Sequence, residues 1–322
     1  MNKKSIYRLF ALGLFLLGTS VLFTSCNNDP SEPHDETEDA MHDDPAKAVL
    51  TLASGHFHGV KFHQDPEFKG SKHMKAVQTI TYVYVKGKGW MPEEGCADKF
   101  VVTSGSQEIA SAYGLWIKYY DKKGKEITGQ FIENGQDKIH QHFFIAKDVQ
   151  PFASGATELG DDETPNIFNY TYMDTTPWNK TLKDEGTQLT GKENPIGFKG
   201  WFNFLRPYKK MTMKIKLMHA RKSKFNDKGE TSPYYNPTPA QNANDHWDLE
   251  MNIPVYVIYS RAEDDKWESG KEVTYDQLLD FEKKIIDGIA LVYGITPQEA
   301  LEEYNLRLYG EREDHDSASL WF

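Results

Sequence analysis

The sequence predicts a mainly β fold, with one or two β-sandwich-like domains followed by a C-terminal helical hairpin. Short runs of branched and aromatic residues recur along the middle of the chain, and Gly-rich turns separate them, a pattern typical of sandwiches and barrels. Convincing helical periodicity occurs only near the end of the chain. We expect five segments. They are a signal peptide (1–25), an acidic tether (26–46), a first β-domain (47–160), a second β-domain (161–265), and a helical hairpin with an acidic tail (266–322).

The overall composition limits the classes of function. The 322 residues include 37 basic and 48 acidic side chains, for a formal net charge of −11. A general role in nucleic-acid binding is not expected, because phosphate recognition needs a basic face. Cys26 and Cys96 are the two cysteines, too few for a disulfide framework or a Cys-rich zinc site.

The N-terminus has the features of an export signal. Basic residues precede an apolar run from Leu9 to Phe23, which is typical of a secretory signal peptide. The run ends at Leu22-Phe23-Thr24-Ser25-Cys26, which resembles the lipobox of Bacteroidetes lipoproteins, although Phe23 replaces the usual aliphatic residue. The resemblance implies that Cys26 is lipidated and anchors the protein in the outer membrane, at the cell surface or on the periplasmic face. An ordinary cleaved signal with an incidental cysteine is the alternative.

An acidic stretch follows the cysteine. Residues 27–46 contain eight acidic side chains and no basic one, so the segment repels itself and predicts a disordered spacer. It also resembles the surface-export signal of Bacteroidetes lipoproteins. His34 and His42 lie in this stretch, and we interpret both as isolated residues of a solvated linker.

The first predicted β-domain begins with Val49–Leu52 and continues with a long branched and aromatic run, Val77–Val85. Branched and aromatic residues favour strands. Lys86–Gly89 and Asp121–Gly124 are predicted turns. Further strands are expected at 99–103, 113–120 and 139–146.

The second predicted β-domain contains strands at 168–173, 199–205, 211–219 and 247–259. Alternation along residues 211–219 places His219 on an apolar face, whereas His246, Asp248 and Glu250 fall on the polar face of the last strand. Residues 222–244 form a long aperiodic connection, which we predict to be a functional or lid-like loop.

The C-terminal region predicts two helices. Thr274 begins a capping box, and apolar residues recur at helical spacing from Leu278 to Val292, where Gly294 ends the helix. Thr296 begins a second capping box with proline at the first helical position. The apolar stripe should pack on the β-region or on a partner chain. The acidic tail contains His315, either solvated or an extra mobile ligand.

Two pairs of histidines, each spaced by two residues, suggest a metal site. His56 with His58, and His140 with His142, each fall on one face of a predicted strand. Neutral imidazoles bind Zn²⁺, Cu²⁺ or Ni²⁺. If the pairs meet, they form one site that His63 fills or flanks.

Weaker ligand candidates are His73, His219, His246 and Glu133. The pattern favours a buried core histidine for His219 and an exposed surface residue for His246 over metal ligation. Nearby carboxylates, among them Asp65, are candidates for orienting the histidine rings by hydrogen bonds.

These patterns favour a surface lipoprotein that binds a transition metal and serves metal acquisition with a TonB-dependent outer-membrane transporter. One alternative is haem capture by two axial histidines, and another is a surface glycan-binding module built on Trp and Tyr. A metal-dependent hydrolase with Glu133 as base is the enzymatic alternative. Binding is expected rather than catalysis, because no Ser/His/Asp signature, phosphate-binding glycine loop or His-Glu-x-x-His helix occurs.

Overall fold

The structure, a computed structural model, describes residues 42–59, 61–105, 111–153, 163–260, 273–314 and 320–322. They belong to one compact unit, Glu32–Phe322. The predicted signal peptide, Cys26, His34 and His315 lie outside the described residues.

The described part of the chain is mainly β, as predicted. Its strands are β1 Lys47–His58, β2 Lys61–Gln64, β3 Val77–Val85, β4 Gly89–Pro92, β5 Phe100–Ser104, β6 Ala112–Tyr120, β7 His140–Pro151, β8 Phe168–Tyr172, β9 Thr175–Thr176, β10 Gln188–Leu189, β11 Lys199–Phe204, β12 Lys209–His219 and β13 His246–Ser260.

Two sheets contain most of these strands. The larger has the order β4-β3-β1-β6-β11-β8, with β2 paired to β1, and the smaller has the order β5-β13-β12-β7. Pairing is antiparallel except between β13 and β5. Strands β9 and β10 form a separate antiparallel pair.

One apolar core joins the two sheets. Leu50 and Ile117 of the larger sheet belong to the same buried cluster as Ile215 and Met251 of the smaller sheet. In addition, β11 pairs with β6 and β12 pairs with β7, so both sheets contain strands from either side of residue 160. Residues from the predicted β-domains at 47–160 and 161–265 therefore share both sheets and one buried cluster.

The helices are α1 Thr164–Ile167, α2 Pro239–Asn244, α3 Asp280–Tyr293 and α4 Pro297–Tyr309, with single 3₁₀ turns at Thr128–Phe131, Gln136–Lys138 and Tyr275–Gln277. The capping box at Thr274 caps the start of the last of these turns rather than the start of a long helix. The long helix α3 begins at Asp280, six residues after Thr274. Gly294 ends α3 with φ +66°. No helix in the described ranges is long and apolar enough to cross a membrane.

The helical hairpin packs on the β-region. Ile285 and Ile289 of α3 and Leu301 of α4 share a buried cluster with Val101 of β5 and Ile258 of β13. These two strands belong to the smaller sheet, whose other face contributes to the main core. The apolar stripe thus buries against the sandwich, one of the two partners expected for it.

A close approach of backbone and ring fixes the hairpin between β1 and β2. The ring of Phe62 lies over Gly55 of β1 and Gly114 of β6, where an added Cβ would be 2.4 Å and 2.3 Å from its carbons. Real Cβ contacts are never this short, so only glycine allows the ring to pack here. Phe62 is fully buried, and it is the residue before His63 in β2.

Candidate metal centres

Four buried side chains from distant parts of the sequence meet at one end of the sandwich. They are His42, His140, His219 and Asp248, and one donor atom of each lies within 4.8 Å of the others. We call this group the buried cluster. His140 begins β7, His219 ends β12, and Asp248 lies in β13.

Strand register brings two of these histidines together. His140 and His219 are direct cross-strand partners of β7 and β12, and their ring centroids are 4.5 Å apart. His219 follows Leu217 on the face that was predicted to be apolar. That face is buried, so the histidine lies beside the core and contributes Nδ1 to the cluster.

A β-bulge brings in the carboxylate. Leu217 pairs with Leu249, but Met218 pairs with Trp247, so Asp248 is the extra residue of β13. A bulge re-aims the strand's side chains, and Asp248 is 8% exposed while Trp247 packs with Met218 in a different cluster. The prediction that Asp248 lies on the polar face is therefore wrong.

His42 reaches the cluster from the segment before β1. The backbone N–H of Asp43 donates to Gln130 Oε1 at 2.6 Å, and Gln130 Nε2 donates back to Asp43 Oδ2 at 3.0 Å. Phe131 packs on the imidazole of His42 with 4.2 Å between ring centroids. His42 is 3% exposed, so its interpretation as a solvated linker residue is wrong.

The spacing of the donor atoms suits one small ion. His140 Nε2 lies 3.3 Å from Asp248 Oδ2, and His42 Nε2 lies 3.3 Å from His219 Nδ1. Asp248 Oδ2 is 4.0 Å from His42 Nε2 and 3.9 Å from His219 Nδ1. Tetrahedral Zn²⁺ with bonds of about 2.0–2.1 Å needs donors about 3.3 Å apart, so the four side chains could hold one ion of this size.

Backbone carbonyls orient two of the rings. Nδ1–H of His140 donates to the carbonyl of Gln136 at 3.0 Å, and Nδ1–H of His42 faces the carbonyl of Asp43 at 3.3 Å. Each bond leaves Nε2 as the lone-pair nitrogen directed at the cluster, the arrangement usual for metal-binding histidines. Three imidazoles and one carboxylate can bind Zn²⁺, Cu²⁺ or Ni²⁺.

Comparisons with protein-family models, curated proteins and solved structures find no match to this chain. The interpretation of the cluster therefore rests on its donor atoms and their geometry.

A second group of histidines lies on the β1–β2 hairpin. His56 and His63 are direct cross-strand partners, and His58 follows His56 on the same face. The donor atoms of the three histidines also lie within 4.8 Å of one another. We call this group the hairpin cluster.

The predicted single site is thus divided between two places. His56, His58 and His63 come together, but His140 belongs to the buried cluster and His142 to neither group. His56 is nine residues beyond the start of β1 at Lys47, about 30 Å at 3.3 Å per residue, whereas His42 lies before that strand. The two ends of β1 therefore serve different clusters.

His142 has a structural role in the core. Its Nδ1–H donates to the carbonyl of Ile196 at 2.8 Å, and its Nε2 accepts from the hydroxyl of Tyr119 at 2.6 Å. Burial lowers the pKa of the imidazole to about 3. His142 is consequently neutral and engaged at both nitrogens, so its contacts lend no support to the predicted metal binding.

The weaker candidates have separate positions. The ring of His73 packs against Tyr293 at 5.5 Å, and Glu133 accepts from the indole N–H of Trp178 at 3.1 Å. His246 is exposed, as its surface alternative stated. None of these three belongs to either cluster of the described residues.

Proposed function

We propose that the protein binds a divalent transition-metal ion, Zn²⁺ in the first instance, at the buried cluster. The observation that carries the proposal is the convergence of four donor atoms from four chain segments within 4.8 Å. With four protein donors the coordination shell would be closed, which is characteristic of ions that are retained rather than of open catalytic ions.

Burial of the carboxylate supports a cation at this position. The side chain of Asp248 is 4% exposed, and those of His42 and His140 are 1% and 0% exposed. Burying a carboxylate is costly unless it is paired or coordinates a metal. A divalent ion would compensate the charge and bind the imidazoles in their neutral form.

We further propose a cellular role in metal acquisition at the outer membrane. The support is the resemblance of residues 1–46 to the N-termini of Bacteroidetes surface lipoproteins. In this proposal Cys26 is the lipidated residue that anchors the protein. In this role the protein stores or delivers its ion to an outer-membrane transporter, a TonB-dependent one in our proposal.

A bare ion fits the buried cluster better than haem does. The centroids of its three imidazole rings lie 4.5–5.3 Å from one another, which leaves no space for a porphyrin between any two of the rings. Haem capture is therefore not proposed for this cluster.

Glycan binding is the second candidate function, and a cleft favours it. The cleft has a volume of about 970 Å³ and is lined by aromatic residues that include Phe57, Tyr172, Trp201 and Tyr234. Residues 231–234 of the long connection form one wall. Saturable polysaccharide binding that survives a chelator and is lost in Trp201→Ala would support this candidate.

The metal proposal is tested by calorimetric titration of the chelator-treated protein with Zn²⁺, Cu²⁺ and Ni²⁺. His219→Gln should abolish the tight binding event, whereas His246→Gln should retain it. The two residues are cross-strand partners, but only His219 belongs to the buried cluster, so they form a matched pair. Unchanged binding in His219→Gln would refute the proposal.

A further inference from the structure

The hairpin cluster differs from the buried cluster in its number of donors. Among the described residues it contains three histidines and no fourth donor. His56 Nε2 and His58 Nε2 are 3.2 Å apart, close to the separation of about 3.3 Å that two imidazoles adopt on one Zn²⁺ ion. The ring centroid of His63 lies 5.1 Å from that of His56 and 5.4 Å from that of His58.

A carboxylate orients the central ring. Nδ1–H of His56 donates to Asp65 Oδ1 at 2.8 Å, which fixes the tautomer and directs Nε2 towards His58. Carboxylate–histidine pairs of this kind typically support a metal ligand and raise its basicity. Asp65 is one of the carboxylates predicted as candidates for orienting the histidine rings, and it makes this contact.

The environment of the hairpin cluster is closed on one side and open on the other. His63 is fully buried, and the indole of Trp321 packs on it with 4.3 Å between centroids and stacks on His58 at 5.6 Å and 12°. Trp321 is held in place because Gln64 N–H donates to the carbonyl of Leu320 at 2.9 Å. His58, in contrast, is exposed, and the side chain of His56 is 39% exposed.

We propose that the hairpin cluster is a second metal site, an open one in which three histidines bind the ion and a small anion or water takes the fourth position from solvent. Sites with three protein ligands and one exchangeable ligand have the coordination of catalytic rather than structural zinc. The proposal does not depend on the buried cluster, which shares no residue with this one. The ion here should also exchange faster, because its shell is incomplete and faces water.

The test uses Co²⁺, whose visible spectrum reports coordination, with azide as the small anion. The chelator-treated full chain should bind two equivalents of Co²⁺, and azide should change the spectrum of one of them. In His58→Ala, chosen because the residue is exposed, one equivalent and the azide response should both disappear. In His219→Gln the azide response should remain, so failure at one cluster is distinguishable from failure at the other.

Tryptophan fluorescence provides an independent measurement. Cu²⁺ bound beside Trp321 should quench part of the emission, and Trp321→Phe should remove that quenching without changing the number of bound ions. The proposal is overturned if His58→Ala retains the stoichiometry of the wild type, or if azide leaves every Co²⁺ band unchanged.

Discussion

Loading the buried cluster with Zn²⁺ should raise the thermal stability of the protein, and Asp248→Asn should reduce that gain. The substitution keeps the shape of the side chain but removes the charge of the one anionic donor. Asp248 Oδ2 lies 3.3–4.0 Å from all three histidine nitrogens. An ion bound between these nitrogens would therefore also contact this oxygen.

The size of the effect follows from linkage between binding and folding. At free Zn²⁺ about 1,000-fold above the dissociation constant, binding to the folded state alone stabilises it by about 4 kcal/mol. In a protein of this size, each kcal/mol of added stability raises the melting temperature by about 2 °C. The melting temperature should therefore rise by roughly 8 °C. Asp248→Asn keeps an oxygen donor but loses its charge, and each 10-fold loss of affinity removes about 1.4 kcal/mol of the gain, or roughly 3 °C.

Differential scanning calorimetry in chelator and in buffered Zn²⁺ measures both quantities. Glu250→Gln is the matched control, because Glu250 lies two residues along the same strand, pairs with Lys214 at 2.6 Å and is 42% exposed. It should show the full wild-type shift. Equal shifts in Asp248→Asn and wild type, or no shift in the wild type, would refute the reasoning.

Three further predictions concern the fold around the clusters. Gly114→Ala should lower the free energy of unfolding, measured in urea, by about 1–3 kcal/mol, because the new Cβ would lie 2.3 Å from the ring of Phe62. It should also weaken metal binding at the hairpin cluster alone. Equal weakening at the buried cluster would contradict this. Burial lowers the pKa of Lys199 from 10.5 to about 8, so the folded state binds fewer protons between these values and stability falls as the pH drops through them, by up to about 3 kcal/mol. Lys199→Met should lose that pH dependence, and a variant with the wild-type slope in urea titrations would disprove the assignment. Glu303→Gln should lower the free energy of unfolding by about 2 kcal/mol, because Glu303 accepts hydrogen bonds from one hydroxyl and three backbone amides. An unchanged midpoint of urea unfolding would show that these bonds do not stabilise the fold.

Local pattern was sufficient to predict most of the longer strands and to place His56, His58 and His63 in one group of candidate ligands. The alternation from Met211 to His219 predicted most of β12, whose buried face is the apolar one. His56, His58 and His63 come together because they lie on two strands joined by a short turn, where register follows from sequence proximity. Asp65, which directly follows β2, could be predicted as a partner of these histidines for the same reason.

The buried cluster could not be predicted from pattern alone. His42 lies in a stretch whose composition resembles a spacer, and its anchor is Gln130, far away in the sequence. The bulge at Asp248 reverses the alternation of β13, and nothing in the residue types marks where an extra residue occurs. His142 has the same spacing from His140 as His58 has from His56, but β7 carries it into the core beside Tyr119.

The placement of His42 has a consequence for how the chain reaches its final topology. An ion held by His42, His140, His219 and Asp248 would cross-link four segments that are distant in sequence, much as a set of disulfides does. Such a cross-link shrinks the ensemble of unfolded conformations and favours those in which β7, β12 and β13 are already neighbours. The order in which metal supply and folding occur would then determine whether the segment that precedes β1 is fastened early or left until last.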